Sequence, residues 1–405
     1  MRIKAFKALY PSSDIAHLVA SPPYDTVDTD EARLIAEANP WSFLRIVRSE
    51  IDLPTGTDLY SNQVYDRAAE NFESFIREQV LVRDTQDSVY VYSQTMGHHT
   101  QTGVVACCHV EDYENKLIKR HEKTRKDKEE DRLRHILTLN AHTGPVFLTY
   151  RRNEAVDKMV DEIRSGSPLL DVIAPDGVGH TIWRAPRPDE LVSAFGGIEV
   201  MYIADGHHRA AASARAGAEK RSLNSNHTGR EEYNWFLSVM FPSNQLKILP
   251  YNRCVSDLNG MTESEFLEKV RGRFDVRDNA DPVPQCGRQA SMYLGGDWYG
   301  LSWKPVSSAD PVEALDVSVL QNRLLGPILG VEDPCTDERI RFIGGIKGYS
   351  ALSSAVDSKK ASVAFSMFSV TVEEMMAIAD AGQTMPPKST WFEPKLRSGL
   401  LVHTF

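Results

Sequence analysis

Asp205, Gly206, His207, His208 and Arg209 stand together at the end of an apolar run, IEVMYIA at residues 198–204, and the alanine-rich stretch AAASARAGA follows at once. The apolar run reads as a buried strand and the alanine-rich run as a helix, so the five residues fall in a strand-to-helix turn. The first amides of a helix lack intrahelical acceptors and carry the positive end of its dipole. Arg209 would add a planar fork that matches phosphate oxygens. Gly206 permits a positive φ or a close approach to a ligand, while Asp205, His207 and His208 supply acceptors, donors or a metal contact. Ligands of α/β proteins gather beyond the carboxyl ends of strands, which favours phosphate chemistry here over a plain Asp205 helix cap.

The stretch ADGHHRAAA resembles the D-G-H-H-R signature of the SerK-type free-serine kinase family, within the ParB and sulfiredoxin superfamily. Two more segments resemble elements of that family in the same order: RHEKT at residues 120–124 its H-E element, and MPPKSTWFEPK at residues 385–395 its P-K-[ST]-T element. SPPYD at residues 21–25 and ANPWSF at residues 38–43 are similar to elements of the family's long bacterial branch, whose function is unknown, and that likeness spans most of the chain. The resemblance implies a mixed α/β fold: a ParB/sulfiredoxin-like nucleotide-binding core with an additional C-terminal α/β domain. It also implies ATP or ADP as phosphate donor, Mg²⁺, and the hydroxyl of free L-serine as acceptor, giving O-phosphoserine.

Within that resemblance Glu122, beside His121, is the expected general base, because phosphoryl transfer is chiefly positioning and charge stabilisation plus removal of one proton. Asp205, Gly206, His207, His208 and Arg209 form the expected phosphate cradle, with Arg209 also stabilising transition-state charge and Asp205 the expected Mg²⁺ contact. Lys388, Ser389 and Thr390, in a Pro-rich loop, are expected to meet a substrate carboxylate or phosphate. The residues alone leave plainer readings open: Glu122 as one acid of a charged array, and Lys388 as a solvated turn residue. Ala210 stands where the short kinases carry an aromatic residue, Trp391 where a basic one is usual, and the interval from Glu122 to Asp205 is longer than theirs; acceptor identity is what these departures loosen.

With 405 residues, 41% hydrophobic and 25% charged, the composition is that of a globular protein of two or three domains. The amino-terminal segment has no signal-peptide run, and no apolar run reaches about 18 residues, so a cytoplasmic protein without a membrane partner is expected. The formal net charge of −10 argues against a large nucleic-acid footprint. Five cysteines without C-x-x-C spacing suggest neither a zinc site nor a disulfide framework, and are expected as reduced core or near-core thiols. The basic-looking run at residues 119–135 interleaves acids with its Lys and Arg, the pattern of a solvated helix face. Two other functions fit parts of the pattern: a non-catalytic nucleotide or amino-acid sensor, and a ParB-like DNA-binding protein, which lacks the basic helix-turn-helix it would need.

The elements that must position these groups follow from periodicity. Residues 88–94 and 101–110 predict a hairpin turning at Gly97, with His98 and His99 at its tip. A helix is predicted over residues 127–141 with Leu133, Ile136, Leu137 and Asn140 on one side, then a strand at 145–150, a helix at 153–164, strands at 179–185 and 232–241, and a mobile loop at 220–232. The first domain is placed at residues 1–250, its kinase-like core at about 85–250, and a C-terminal α/β domain at 251–405. In that second part Thr262 with Glu265 and Thr371 with Glu374 predict capping boxes, and residues 362–370 a strand. Breaker clusters fall at residues 281–284 and 305–310.

Overall fold

The apolar runs become strands and the periodic stretches helices in a computed structural model that describes residues 1–306, 308 and 310–405. The fold is mixed α/β. Ser307 and Ala309, in the second breaker cluster, lie outside the described residues. The chain divides into two units, one of Met1–Leu246 together with Pro394–Phe405, the other of Lys247–Glu393.

Nine strands form the main sheet of the first unit: β1 (Ile3–Lys4), β2 (Tyr90–Met96), β3 (His99–His109), β4 (Ile118–Lys119), β5 (Val146–Tyr150), β6 (Leu170–Ile173), β7 (Gly179–Arg184), β8 (Met201–Asp205) and β9 (Trp235–Pro242). Their order is β4-β8-β5-β9-β3-β2-β7-β6, with β1 also on β3. The β2–β3 hairpin turns through Gly97 at φ 60°, with Met96 opposite His99. One pairing decides where the chemistry sits. β4 runs parallel to β8, Ile118 beside Met201 and Lys119 beside Tyr202, so both strands end at the same edge. β8 is antiparallel to β5, with a register shift between Ile203 and Asp205. Apolar side chains such as Val91, Val104, Leu148, Ile203, Phe236 and Met240 are buried beneath the sheet.

The helices of this unit include α1 (Asn62–Arg77), α2 (Lys126–Leu139), α3 (Glu154–Arg164), α4 (Pro188–Gly196) and α5 (His207–Leu223). Ala210, Ala211, Ala212, Ala214 and Ala216 of α5 are all buried, so small side chains let neighbours close on several faces of one helix. At Gly217 the approach is tightest, since a Cβ there would lie 2.7 Å from the Tyr233 carbonyl oxygen. α5 continues through Leu223, so the first residues of the expected mobile loop are helical. The rest is tied down: Glu231 accepts from the Thr228 and Gly229 amides at 2.7 and 2.9 Å, and His227 Nδ1 lies 2.8 Å from the Tyr233 hydroxyl.

The charged run at 119–135 is not one solvated face. It begins in β4, crosses a loop, and enters α2, which packs against α1 and α5 and buries one side. Asp131 accepts from the Tyr65 hydroxyl at 2.8 Å and pairs with Arg132 at 2.7 Å. The Arg132 guanidinium stacks 4.0 Å from the Tyr24 ring centroid, within SPPYD, and His135 Nε2 lies 3.0 Å from the Ile46 carbonyl. The cysteines also divide: Cys107, Cys108 and Cys254 are buried, but Cys286 and Cys335 are exposed and belong to no core.

The second unit holds an antiparallel six-stranded sheet of β10 (Tyr251–Val255), β11 (Asp275–Arg277), β12 (Gln289–Leu294), β13 (Asp297–Ser302), β14 (Ile340–Gly344) and β15 (Val363–Met367), ordered β11-β13-β12-β15-β10-β14. Its helices include α6 (Glu263–Arg271), α7 (Ser350–Asp357) and α8 (Val372–Asp380). Both capping boxes form, Thr262 with Glu265 at the start of α6 and Thr371 with Glu374 at the start of α8. Among the described residues no helix is long and apolar enough to cross a membrane.

Candidate functional site

Because β4 and β8 end side by side, the loop carrying His121 and Glu122 meets the first turn of α5. His207 Nδ1 is 3.7 Å from Glu122 Oε2, and the His121 and His207 rings meet edge to face, centroids 4.6 Å apart at 88°. One ligand atom from each of His121, Glu122 and His207 lies within 4.8 Å of the others. His207 is 5% exposed, whereas the Glu122 side chain is 47% exposed and opens to solvent. Burial pushes the His121 imidazole down to about 4, against a backbone hydrogen bond to Ile203 and the Asp205 charge. Burial, reinforced by His121, holds His207 well below its ordinary range. Both rings are therefore neutral at neutral pH. A second tie joins the motifs: the Arg125 amide donates to His208 Nε2 at 3.1 Å.

Gly206 has φ 92° and ψ 32°, so the chain leaves β8 in the left-handed region and enters α5 directly. The histidines and Arg209 thus form the first helical turn, not a loop before it. Asp205 Oδ2 lies 3.5 Å from both Lys395 Nζ and Arg209 Nη2. Burial opposes its charge, but Lys395 and Arg209 overcome that and hold the carboxyl at about 2, with help from His207 and the Gly206 amide. Arg209 is 9% exposed and its Nη1 donates to the Pro145 carbonyl. The cavity beside it, lined by Tyr24, Arg132, His142, Thr143 and Ser398 among others, measures about 30 Å³, space for one water and not for a nucleotide.

Lys395 is the residue that sequence reasoning missed. It lies at the end of the segment MPPKSTWFEPK, beyond the Lys388, Ser389 and Thr390 to which the motif points. Those three belong to the second unit, whereas Lys395 belongs to the first. Lys388 is exposed, with φ 55° and its ammonium 5.4 Å from the Tyr251 ring centroid. Ser389 is buried, and its hydroxyl donates to the Pro386 carbonyl at 2.7 Å.

The expected Mg²⁺ contact fits these surroundings poorly. A carboxylate oxygen flanked by two cations has little negative charge to offer a hard ion, and the neighbouring donor cluster is rich in imidazole nitrogen, which Mg²⁺ does not favour.

Residues 3–318 match the family model described as protein of unknown function (DUF1015). The chain belongs to that family. No curated protein matches it by sequence. Solved structures similar to it include a free serine kinase in complex with AMP, 14% identical, covering 74% of this chain and 92% of that one at TM-score 0.34. Another is a conserved hypothetical protein from Pyrococcus furiosus, 14% identical, with coverages of 74% and 95% and TM-score 0.36. A third is SbnI with C-terminal truncation from Staphylococcus aureus, 11% identical, with coverages of 73% and 85% and TM-score 0.39. At identities and TM-scores this low, the likenesses decide neither activity nor ligand.

Proposed function

We propose that this chain is a nucleotide-dependent phosphotransferase that moves phosphate from ATP or ADP to the hydroxyl of a small metabolite, free L-serine first among them. The observation that carries the reading is the meeting of a half-exposed carboxylate, Glu122, with the amino-terminal turn of a 17-residue helix at the ends of two parallel strands. A helix amino terminus favours phosphate, and a carboxylate at its rim is placed to take a proton. The three short motifs that resemble those of free-serine kinases, in the same order, support serine as the acceptor to try first.

In this reading the first-turn amides of α5 and the cations Lys395 and Arg209 set the positive field in which donor phosphates rest. Glu122 accepts the hydroxyl proton as the acceptor oxygen bonds to the terminal phosphorus, and the bond to the departing nucleotide oxygen breaks. In the second unit the Ser389 hydroxyl is committed to the Pro386 carbonyl.

The test is incubation of the protein with Mg²⁺, ATP or ADP, and a panel of hydroxyl metabolites, followed by phosphorus NMR. O-phosphoserine is the expected product. Nucleotide binding without turnover of any acceptor would replace the enzyme with a sensor.

A further inference from the structure

We infer that His121, Glu122 and His207 form a binding site for one borderline divalent transition ion of the zinc and cobalt class. Two imidazoles and one carboxylate are the donor set of three-ligand zinc sites, which leave a further coordination position open. The three groups converge from one loop and the first turn of α5, each offering one ligand atom within 4.8 Å of the others. Tetrahedral coordination at about 2.05 Å puts donor atoms about 3.3 Å apart. His207 Nδ1 and Glu122 Oε2, at 3.7 Å, are already close to that separation. Glu122, whose side chain is 47% exposed, is the most exposed of the three and lies on the solvent side of the cluster.

The plainer explanation, a core histidine satisfied by the protein, does not describe His207. It is 5% exposed, and its Nε2 is buried with no hydrogen-bond partner among the described residues. That nitrogen is not the one facing Glu122, so it marks His207 as a core histidine left unsatisfied by the protein, while Nδ1 is the atom turned to the cluster. Nor is Asp205 the better ligand nearby, since Lys395 and Arg209 already flank it. The positive end of α5 opposes a cation, but it equally opposes imidazolium, and the Glu122 charge offsets it where the ion would sit.

The inference goes beyond the phosphotransfer reading and stands without it. Where the two meet, an ion on Glu122 withdraws the carboxylate from proton transfer, so Zn²⁺ would inhibit turnover while leaving nucleotide able to bind.

The test uses the full chain stripped with chelator and titrated with Co²⁺, followed by its visible ligand-field bands, and with Zn²⁺ by calorimetry. One equivalent is expected to bind with visible bands of low-coordinate cobalt. Affinity should fall at least tenfold in Glu122→Gln and in His207→Ala, and stay unchanged in His99→Ala at the hairpin tip. Glu122 is half-exposed, so Glu122→Gln reports even if His207→Ala fails to fold. The absence of saturable binding, or equal affinity in wild type and Glu122→Gln, overturns the site. Neither result depends on any phosphorylated product, so failure of this site and failure of the enzymatic reading are read separately.

Discussion

Replacing Gly206 with alanine should loosen the site from its hinge outward. At φ 92° the backbone sits where an L-residue costs about 1–2 kcal/mol. The new Cβ would also lie 3.0 Å from Arg209 Cζ, Nε and Nη2, closer than ordinary contact. Arg209 cannot simply swing away, because Pro145 and Asp205 hold its guanidinium. Mild overpacking adds about 1 kcal/mol, for a total of about 2–3 kcal/mol. A chain of two units does not have one unfolding free energy, so the measurement is hydrogen exchange of the α5 amides under conditions where exchange follows the opening equilibrium. Protection should fall about 30- to 150-fold, at about 1.4 kcal/mol per tenfold. A loss of less than about threefold would refute the strain at Gly206 and the clamped Arg209 together.

Other predictions follow from the same contacts. Arg209→Lys should lower catalytic efficiency at least tenfold, because one ammonium cannot serve both the Pro145 carbonyl and Asp205 as the fork does; steady-state kinetics with serine checks this, and unchanged kcat/KM removes Arg209 from the site. Burial holds His135 at about 4 in the folded chain against 6.5 ordinarily, so its neutral form is retained at high pH and the unfolded chain takes up the proton first as pH falls. First-unit stability should therefore decline from pH 6.5 toward 4, by about 3 kcal/mol from this residue at 1.36 kcal/mol per pH unit. Exchange protection at several pH values reads it, and a His135→Gln slope equal to wild type would contradict the assignment.

Much of the local architecture was legible because local patterns cause it. The apolar run before Asp205 and the alanine run after Arg209 are the strand and helix they resemble, and Thr262 and Thr371 start their helices through side chains three residues away. What escaped reading depends on distant partners. β4 is only two residues long, too short for periodicity to reveal, yet its pairing with β8 carries Glu122 to within 3.7 Å of His207. Arg209 reads as a fork for phosphate, and no local pattern shows that its guanidinium is held by Pro145, 64 residues away, and by Asp205, one helical turn back. Lys395 reaches Asp205 only because Pro394–Phe405 joins the first unit, a return with no local sequence cause. On α2 the charges of Lys126, Asp127 and Glu130 stay solvated as expected, but Asp131 and His135 are buried on the side that packs against α1 and α5.

The central claim, chemistry at Glu122 beside a phosphate-binding helix end, is tested most directly by one paired measurement. Wild type and Glu122→Gln, both stripped of transition ions, are given serine and nucleotide, and O-phosphoserine is followed by phosphorus NMR with nucleotide affinity measured on the same samples. Glutamine keeps shape and most hydrogen bonding but cannot take up the proton, so turnover should drop about a hundredfold or more while nucleotide affinity barely changes. Equal turnover in the two proteins, or none in the wild type, would contradict the account.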